Sequence, residues 1–231
     1  MHVLGGGPTV SELVSFRDVR FAYADAKGWV LDGVSFCVER GEACALVGPN
    51  GCGKSTSLRL LVGLDCPASG EVLFAGERID AQTMADRAFA KRLRQRIGLV
   101  FQDPDVQLFC PTVRDEIAFG PSQMGLAVEE VQRRTDDCLD IFGLRELAGR
   151  APWRLSGGEK RRCALACVVS LGPELLCLDE PTNGLDDESR EQLVAFLKSF
   201  VAVGKTVLVA THDMAFVRGL SARPISVGIH S

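Results

Sequence analysis

The chain of 231 residues is 46% hydrophobic and 24% charged, with a net charge of −4, which suits one large α/β domain with room for a small inserted part. The acidic balance excludes nucleic acid as the main partner, because neutralising phosphates needs a basic face. No apolar run reaches the roughly 18 residues needed to cross a bilayer, and nine cysteines without a C-x-x-C pair read as reduced core thiols, not as a disulfide framework or a metal site.

In chain order, Met1–Val10 holds Gly5-Gly6-Gly7-Pro8 but neither a basic start nor a long apolar stretch, so it reads as a flexible leader and not as a signal. Leu13–Tyr23 and Val34–Glu39 alternate apolar and polar residues around the turn Asp25–Gly28, as antiparallel strands do. Tyr23 ends the first run; its ring suits either stacking on an adenine or ordinary strand packing.

The apolar run Ala43–Val47 leads into Gly48-Pro49-Asn50-Gly51-Cys52-Gly53-Lys54-Ser55-Thr56, followed by the helix-like Leu58–Val62. This is G-x-x-x-x-G-K-[ST] in the strand–loop–helix setting it requires, and it predicts binding of a nucleoside triphosphate. Glycines let successive backbone N–H groups curl around phosphate oxygens, and the helix that follows turns its positive end to the same anion. Lys54 is placed to reach the β- and γ-phosphates and the Ser55 hydroxyl to ligate Mg²⁺. Alkylation of Cys52, inside the loop, is expected to block nucleotide binding.

Three short apolar runs read as buried parallel strands: Ile97–Phe101, Leu175–Leu178 and Val207–Ala210. Each ends at a residue able to do chemistry: Gln102 after the first, Asp179 and Glu180 after the second, Thr211 and His212 after the third. Asp179 is the expected Mg²⁺ partner, and Glu180 can polarise a water against the γ-phosphate. His212 can donate a hydrogen bond to that phosphate.

Between these strands, Phe119–Trp153 lacks strand character. Val128, Val131, Thr135, Cys138, Leu139 and Phe142 recur at helical spacing. Leu155-Ser156-Gly157-Gly158-Glu159 then opens a helix over Lys160–Leu171. Ser156 and Glu159 fit a capping box, and the glycines leave helix-end amides open to an anion. This second anion site serves either the same nucleotide or a neighbouring subunit. Asp187–Val203 is a further amphipathic helix, ended by Gly204.

Taken together, these residues resemble the ATP-binding-cassette family, in order, from Tyr23 to His212. The resemblance implies an α/β fold: a P-loop NTPase core with a mostly parallel sheet, an N-terminal antiparallel β part (11–47) and an inserted helical part (about 119–170), with 171–231 closing the core. It implies Tyr23 as the adenine-stacking aromatic, Gly48–Thr56 as the ATP phosphate loop, and Gln102 of the Q-loop joining Ser55 and Asp179 around Mg²⁺. Leu155, Ser156, Gly157, Gly158 and Glu159 become the signature that closes over ATP held by a second cassette, identical or paralogous, paired head to tail. Asp186 belongs to the D-loop. Glu180 becomes the base, with Lys54 and His212 stabilising the γ-phosphate charge.

Phe101–Phe109, Pro111-Thr112-Val113 and Glu116–Pro121 look like the ATPases of energy-coupling-factor importers of cobalt, nickel, biotin or other vitamins. A transmembrane coupling subunit and a substrate-binding membrane protein are then the expected partners, with this chain peripheral on the cytoplasmic face of the cell membrane. A soluble mechanical ATPase of the same family is the alternative. After His212 the family usually adds a strand and an Asp-Gly hairpin, whereas Arg218–Ser231 offers only a strand over Ile225–Ile229. Pairing without a membrane partner is therefore not expected to be strong.

Overall fold

A computed structural model describes residues 11–26 and 28–228; the leader Met1–Val10 and the end of the strand expected over Ile225–Ile229 lie outside them. Strands β1 (Glu12–Phe21) and β2 (Leu31–Glu39) pair antiparallel, held by the stacked rings of Phe16 and Phe36, 4.4 Å apart. The chain then leaves this sheet: β3 (Ala43–Val47) pairs in parallel with two other strands. The antiparallel part expected over 11–47 therefore ends before β3. Cys44, Ala45 and Leu46 are buried on both faces, the mark of a central parallel strand and not of an alternating one.

Helix α1 (Lys54–Leu61) follows the glycine-rich loop, and β4 (Ser69–Phe74) with β5 (Glu77–Arg78) returns to the first sheet, giving it the order β2-β1-β4-β5. Two helices, α2 (Ala81–Ala85) and α3 (Arg87–Arg96), lead to β6 (Ile97–Val100).

The helical part comprises α4 (Val113–Gln123), α5 (Val128–Ile141) and α6 (Gly157–Val169). It starts earlier than the expected residue 119: Thr112 caps α4 by accepting a hydrogen bond from the Asp115 N–H at 3.1 Å. Strand β7 (Leu175–Asp179), helix α7 (Asp187–Ala202), strand β8 (Thr206–Ala210), helix α8 (Met214–Leu220) and strand β9 (Arg223–Ser226) complete the chain.

The second sheet is parallel, in the order β6-β7-β8-β3-β9. It divides two cores. Cys44, Leu46, Leu175, Cys177, Leu208 and Ala210 face a core shared with α1 and the antiparallel sheet. The alternate residues Ala45, Leu176, Leu178, Val207 and Val209 face a core shared with α4–α8. The carboxyl ends of β3, β6, β7 and β8 thus share one edge, where open parallel sheets bind ligands. All nine cysteines are free, and burial pushes the thiols of Cys44 and Cys138 up to about 12. Among the described residues no helix is long and apolar enough to cross a membrane.

Candidate nucleotide-binding site

At that edge lies a cavity of about 460 Å³. One wall is the loop between β3 and α1. Gly51 and Gly53 adopt left-handed φ of 80° and 97°, and a Cβ on Gly53 would collide with the Leu31 side chain. Because Gly53 caps α1 without a side chain, no side-chain oxygen takes up the first-turn N–H groups of the helix. They remain available to an anion.

Lys54 is 6% exposed, and its Nζ donates to the carbonyls of Gly48 at 2.9 Å and Pro49 at 3.1 Å. The ammonium is thus folded across the loop, 3.9 Å from Glu180 Oε1. Ser55 Oγ donates to Asp179 Oδ1 at 2.8 Å, joining loop and β7. Burial holds the Asp179 carboxyl above the usual carboxylate range; the neighbouring Glu180 charge adds to this, while the Ser55 hydrogen bond and Lys54 oppose it.

Glu180 is 7% exposed and sits at a left-handed φ of 44°, a conformation that costs energy for a non-glycine residue. Its backbone N–H is secured to the Ala210 carbonyl at 2.8 Å. Thr211 Oγ1 donates to Glu180 Oε2 at 3.2 Å while accepting from the Asp213 N–H at 3.0 Å. His212 Nδ1 lies 3.0 and 3.1 Å from the two carboxylate oxygens. The carboxylate is therefore aimed from three sides, by Thr211, His212 and Lys54.

Gln102 and His212 line the same cavity, as does Tyr23. The Tyr23 ring is fixed edge-on to Phe21 at 4.9 Å, and its hydroxyl lies 3.2 Å from Thr56 Oγ1. Such a fixed, partly exposed ring is a suitable base platform.

The structure does not bring every candidate here. Cys52 does not line the cavity; its side chain packs behind the loop, against Gly48 and Gly228. Leu155–Glu159 does not line it either. Ser156 caps α6, its N–H donating to Glu159 Oε2 at 2.7 Å and its Oγ accepting from the Glu159 N–H at 3.3 Å, which holds the Glu159 carboxyl below the usual range. Around Gly157 and Gly158 there is open space, and Gly158 borders a separate cavity of about 410 Å³. The two anion-ready helix ends therefore do not converge within one chain. Asp186 caps α7, accepting from the Ser189 N–H at 2.8 Å.

Sequence reasoning missed Val30 and Asn183, which also line the cavity; it named Thr211 at its strand end but not its part in orienting Glu180. It also missed Arg161 on α6, whose guanidinium donates to the Asn183 carbonyl and, at 3.4 Å, to that of Gln102. Val30, Asn183 and Arg161 carried no such signal, whereas Thr211 was marked as a hydroxyl at the end of a buried strand.

Comparison with known proteins agrees with this geometry. Residues 31–183 match the family described as ABC transporter. The chain is 44% identical to the nickel import ATP-binding protein LarO of Lactiplantibacillus plantarum, over 91% of this chain and 87% of that one. It is 42% identical to the energy-coupling factor transporter ATP-binding protein EcfA of Methanothermobacter thermautotrophicus, over 91% of this chain and 66% of the other. Among solved structures it resembles the ATP-binding cassette MJ0796, seen as a dimer in a post-hydrolysis state with ADP and Pi, with a TM-score of 0.83, 30% identity and coverage of 93% and 94%. The chain belongs to the ABC transporter family and is an ATPase of that family.

Proposed function

We propose that this ATPase is the energy-supplying subunit of an energy-coupling-factor importer, working at the cytoplasmic face of the membrane through a separate transmembrane subunit. The relative named for nickel import supports a transition-metal ion such as nickel or cobalt as cargo over a vitamin. The observation that carries the mechanism is the separation of the phosphate loop from the signature on one chain. Each half is incomplete alone, and two copies or paralogues placed head to tail would complete two sites, as the dimeric cassette supports.

In such a site the open N–H groups of α1 receive the β- and γ-phosphates, and Tyr23 stacks on the adenine. Lys54 transfers its donors from the Gly48 and Pro49 carbonyls to phosphate oxygens. Ser55, Asp179 and Gln102 offer only oxygen donors of the kind a hard cation takes, so they fit Mg²⁺, which would neutralise phosphate charge when bound. Glu180, held by Thr211 and His212, accepts a proton from the attacking water as its oxygen bonds to the γ-phosphorus and the bond to ADP breaks. His212 and the partner's signature helix end stabilise the departing charge.

An exposed apolar cluster supports a docking partner. Phe109 is 67% exposed and Val106 68%; Phe109 meets Phe119 edge-on at 5.0 Å. Phe119 borders a groove that also holds Arg87, Lys91 and Arg94. This is the segment whose sequence resembles the importer subgroup.

Light scattering tests the composite site. With Mg²⁺ and a non-hydrolysable ATP analogue the isolated chain should pair weakly, at high protein concentration, and with ADP it should separate. Ser156→Arg should abolish pairing while leaving nucleotide affinity of the single chain unchanged. Pairing that survives Ser156→Arg, or is indifferent to nucleotide, would overturn the arrangement.

A further inference from the structure

The nucleotide touches one side of the phosphate loop, and its convergent N–H groups need something firm on the other. That backing comes from the far end of the chain. Strand β9 runs alongside β3, with Ser226 opposite Val47, and the Val227 N–H donates to the Val47 carbonyl at 2.9 Å where the loop begins. Val227 is 1% exposed.

Beyond it the loop and the β9 end meet at the closest approach glycine allows. A Cβ added to Gly48 would lie 2.6 Å from the Val227 carbonyl oxygen and 2.7 Å from Cys52 Sγ. A Cβ added to Gly228 would lie 2.7 Å from Cys52 Cβ and 3.2 Å from the Cys52 carbonyl oxygen. The Cys52 side chain is thus clasped between two glycines, one inside the loop and one outside it. The outer jaw is anchored independently of any ligand. Arg223 at the start of β9 donates to Glu42 at 2.7 and 3.1 Å and to the Cys37 carbonyl at 2.8 Å.

We propose that the end of β9 sets the shape of the phosphate loop by clasping Cys52, and that Gly228, which touches no part of the nucleotide cavity, is a positioning residue for ATP binding. A side chain at position 228 would push Cys52 and the loop backbone towards the cavity and spread the N–H groups that converge on phosphate. The same geometry gives a different reason for any effect of Cys52 alkylation: bulk added behind the loop displaces it from the rear.

The test uses the full chain and a double-mutant cycle, reading ATP Kd, KM, kcat and Tm. Gly228→Asn is chosen because asparagine tolerates the left-handed φ of 78° that Gly228 adopts, so that the added Cβ is the main change. Expected are a Kd and KM raised about tenfold or more, kcat at saturating ATP within about threefold, and Tm little changed. In the Cys52→Gly background, where the opposing Cβ is gone, the Gly228→Asn penalty on Kd should fall to about threefold or less. An unchanged Kd in the first variant, or an equal penalty in both backgrounds, would overturn the proposal. Should Gly228→Asn not fold, Arg223→Met releases the anchor of β9 without touching the loop. A Kd raised several-fold supports the proposal, and an unaltered Kd refutes it.

Discussion

Replacing Glu180 by glutamine keeps the shape of the side chain and removes its capacity to take a proton. The local structure should survive, because the amide oxygen can still accept from Thr211 Oγ1 and face His212 Nδ1, as the carboxylate does at 3.2 and 3.0 Å. The backbone bond of residue 180 to Ala210 is untouched. What is lost is general-base help, typically 10²- to 10⁴-fold, which is about 3 to 5.5 kcal/mol at roughly 1.4 kcal/mol per tenfold. Nucleotide affinity should hold or improve, since the buried carboxylate 3.9 Å from Lys54 no longer competes for the ammonium or repels the γ-phosphate. Steady-state phosphate release gives the first quantity and titration with ATP the second. Turnover lowered by less than about threefold, or a loss of affinity equal to the loss of turnover, would refute the assignment of Glu180 as the base.

Asp179→Asn should raise the Tm of the nucleotide-free protein while weakening Mg²⁺-dependent ATP binding. Because burial lifts the Asp179 pKa in the fold, its charged form destabilises at neutral pH, and this penalty is relieved as pH falls through the raised value. The Tm gap between variant and parent should therefore narrow on acidification, and a variant less stable at pH 7 would contradict this. Glu174→Gln should cost about 1 kcal/mol, since the carboxylate accepts from Arg96 at 2.6 and 3.1 Å and from Arg40 at 3.2 Å but is partly exposed. Arg96 holds the Glu174 carboxyl below its usual range, so the stabilisation is present at neutral pH and lost as pH falls through the depressed value. Urea titrations of parent and variant should then converge in acid. Leu208→Ala should cost about 2–5 kcal/mol by opening a cavity beneath a fully buried strand. Its ATP affinity should be that of the parent when measured well below Tm.

The phosphate loop, the four strand ends and the capping residue Ser156 were legible in the sequence because each depends on neighbours within a few residues, whereas Asp186 was marked only through the family resemblance and not as the cap of α7. The short apolar runs gave away β6, β7 and β8 for the same reason. Sheet membership is not local: Ala43–Val47 is compatible with either sheet until β8 and β9 are seen on its flanks. The hairpin β4–β5 was missed because only Val72 and Phe74 of its strands are buried, a pattern too brief to register. The side-chain direction of Cys52 is set by Gly228, 176 positions further along the chain, and no spacing rule reports such a contact. Nor does sequence reveal that Glu180 occupies a left-handed conformation; that is imposed by the pairing of its N–H with β8 and by the grip of Thr211.

Isolation of the chain from native membranes, with its companions identified by mass spectrometry and ATPase activity compared free and in complex, tests the importer reading most directly. The account predicts recovery with a transmembrane coupling subunit and a substrate-binding membrane protein, and activity that depends on them. Recovery with soluble proteins alone, with full activity in the absence of any membrane subunit, would contradict it.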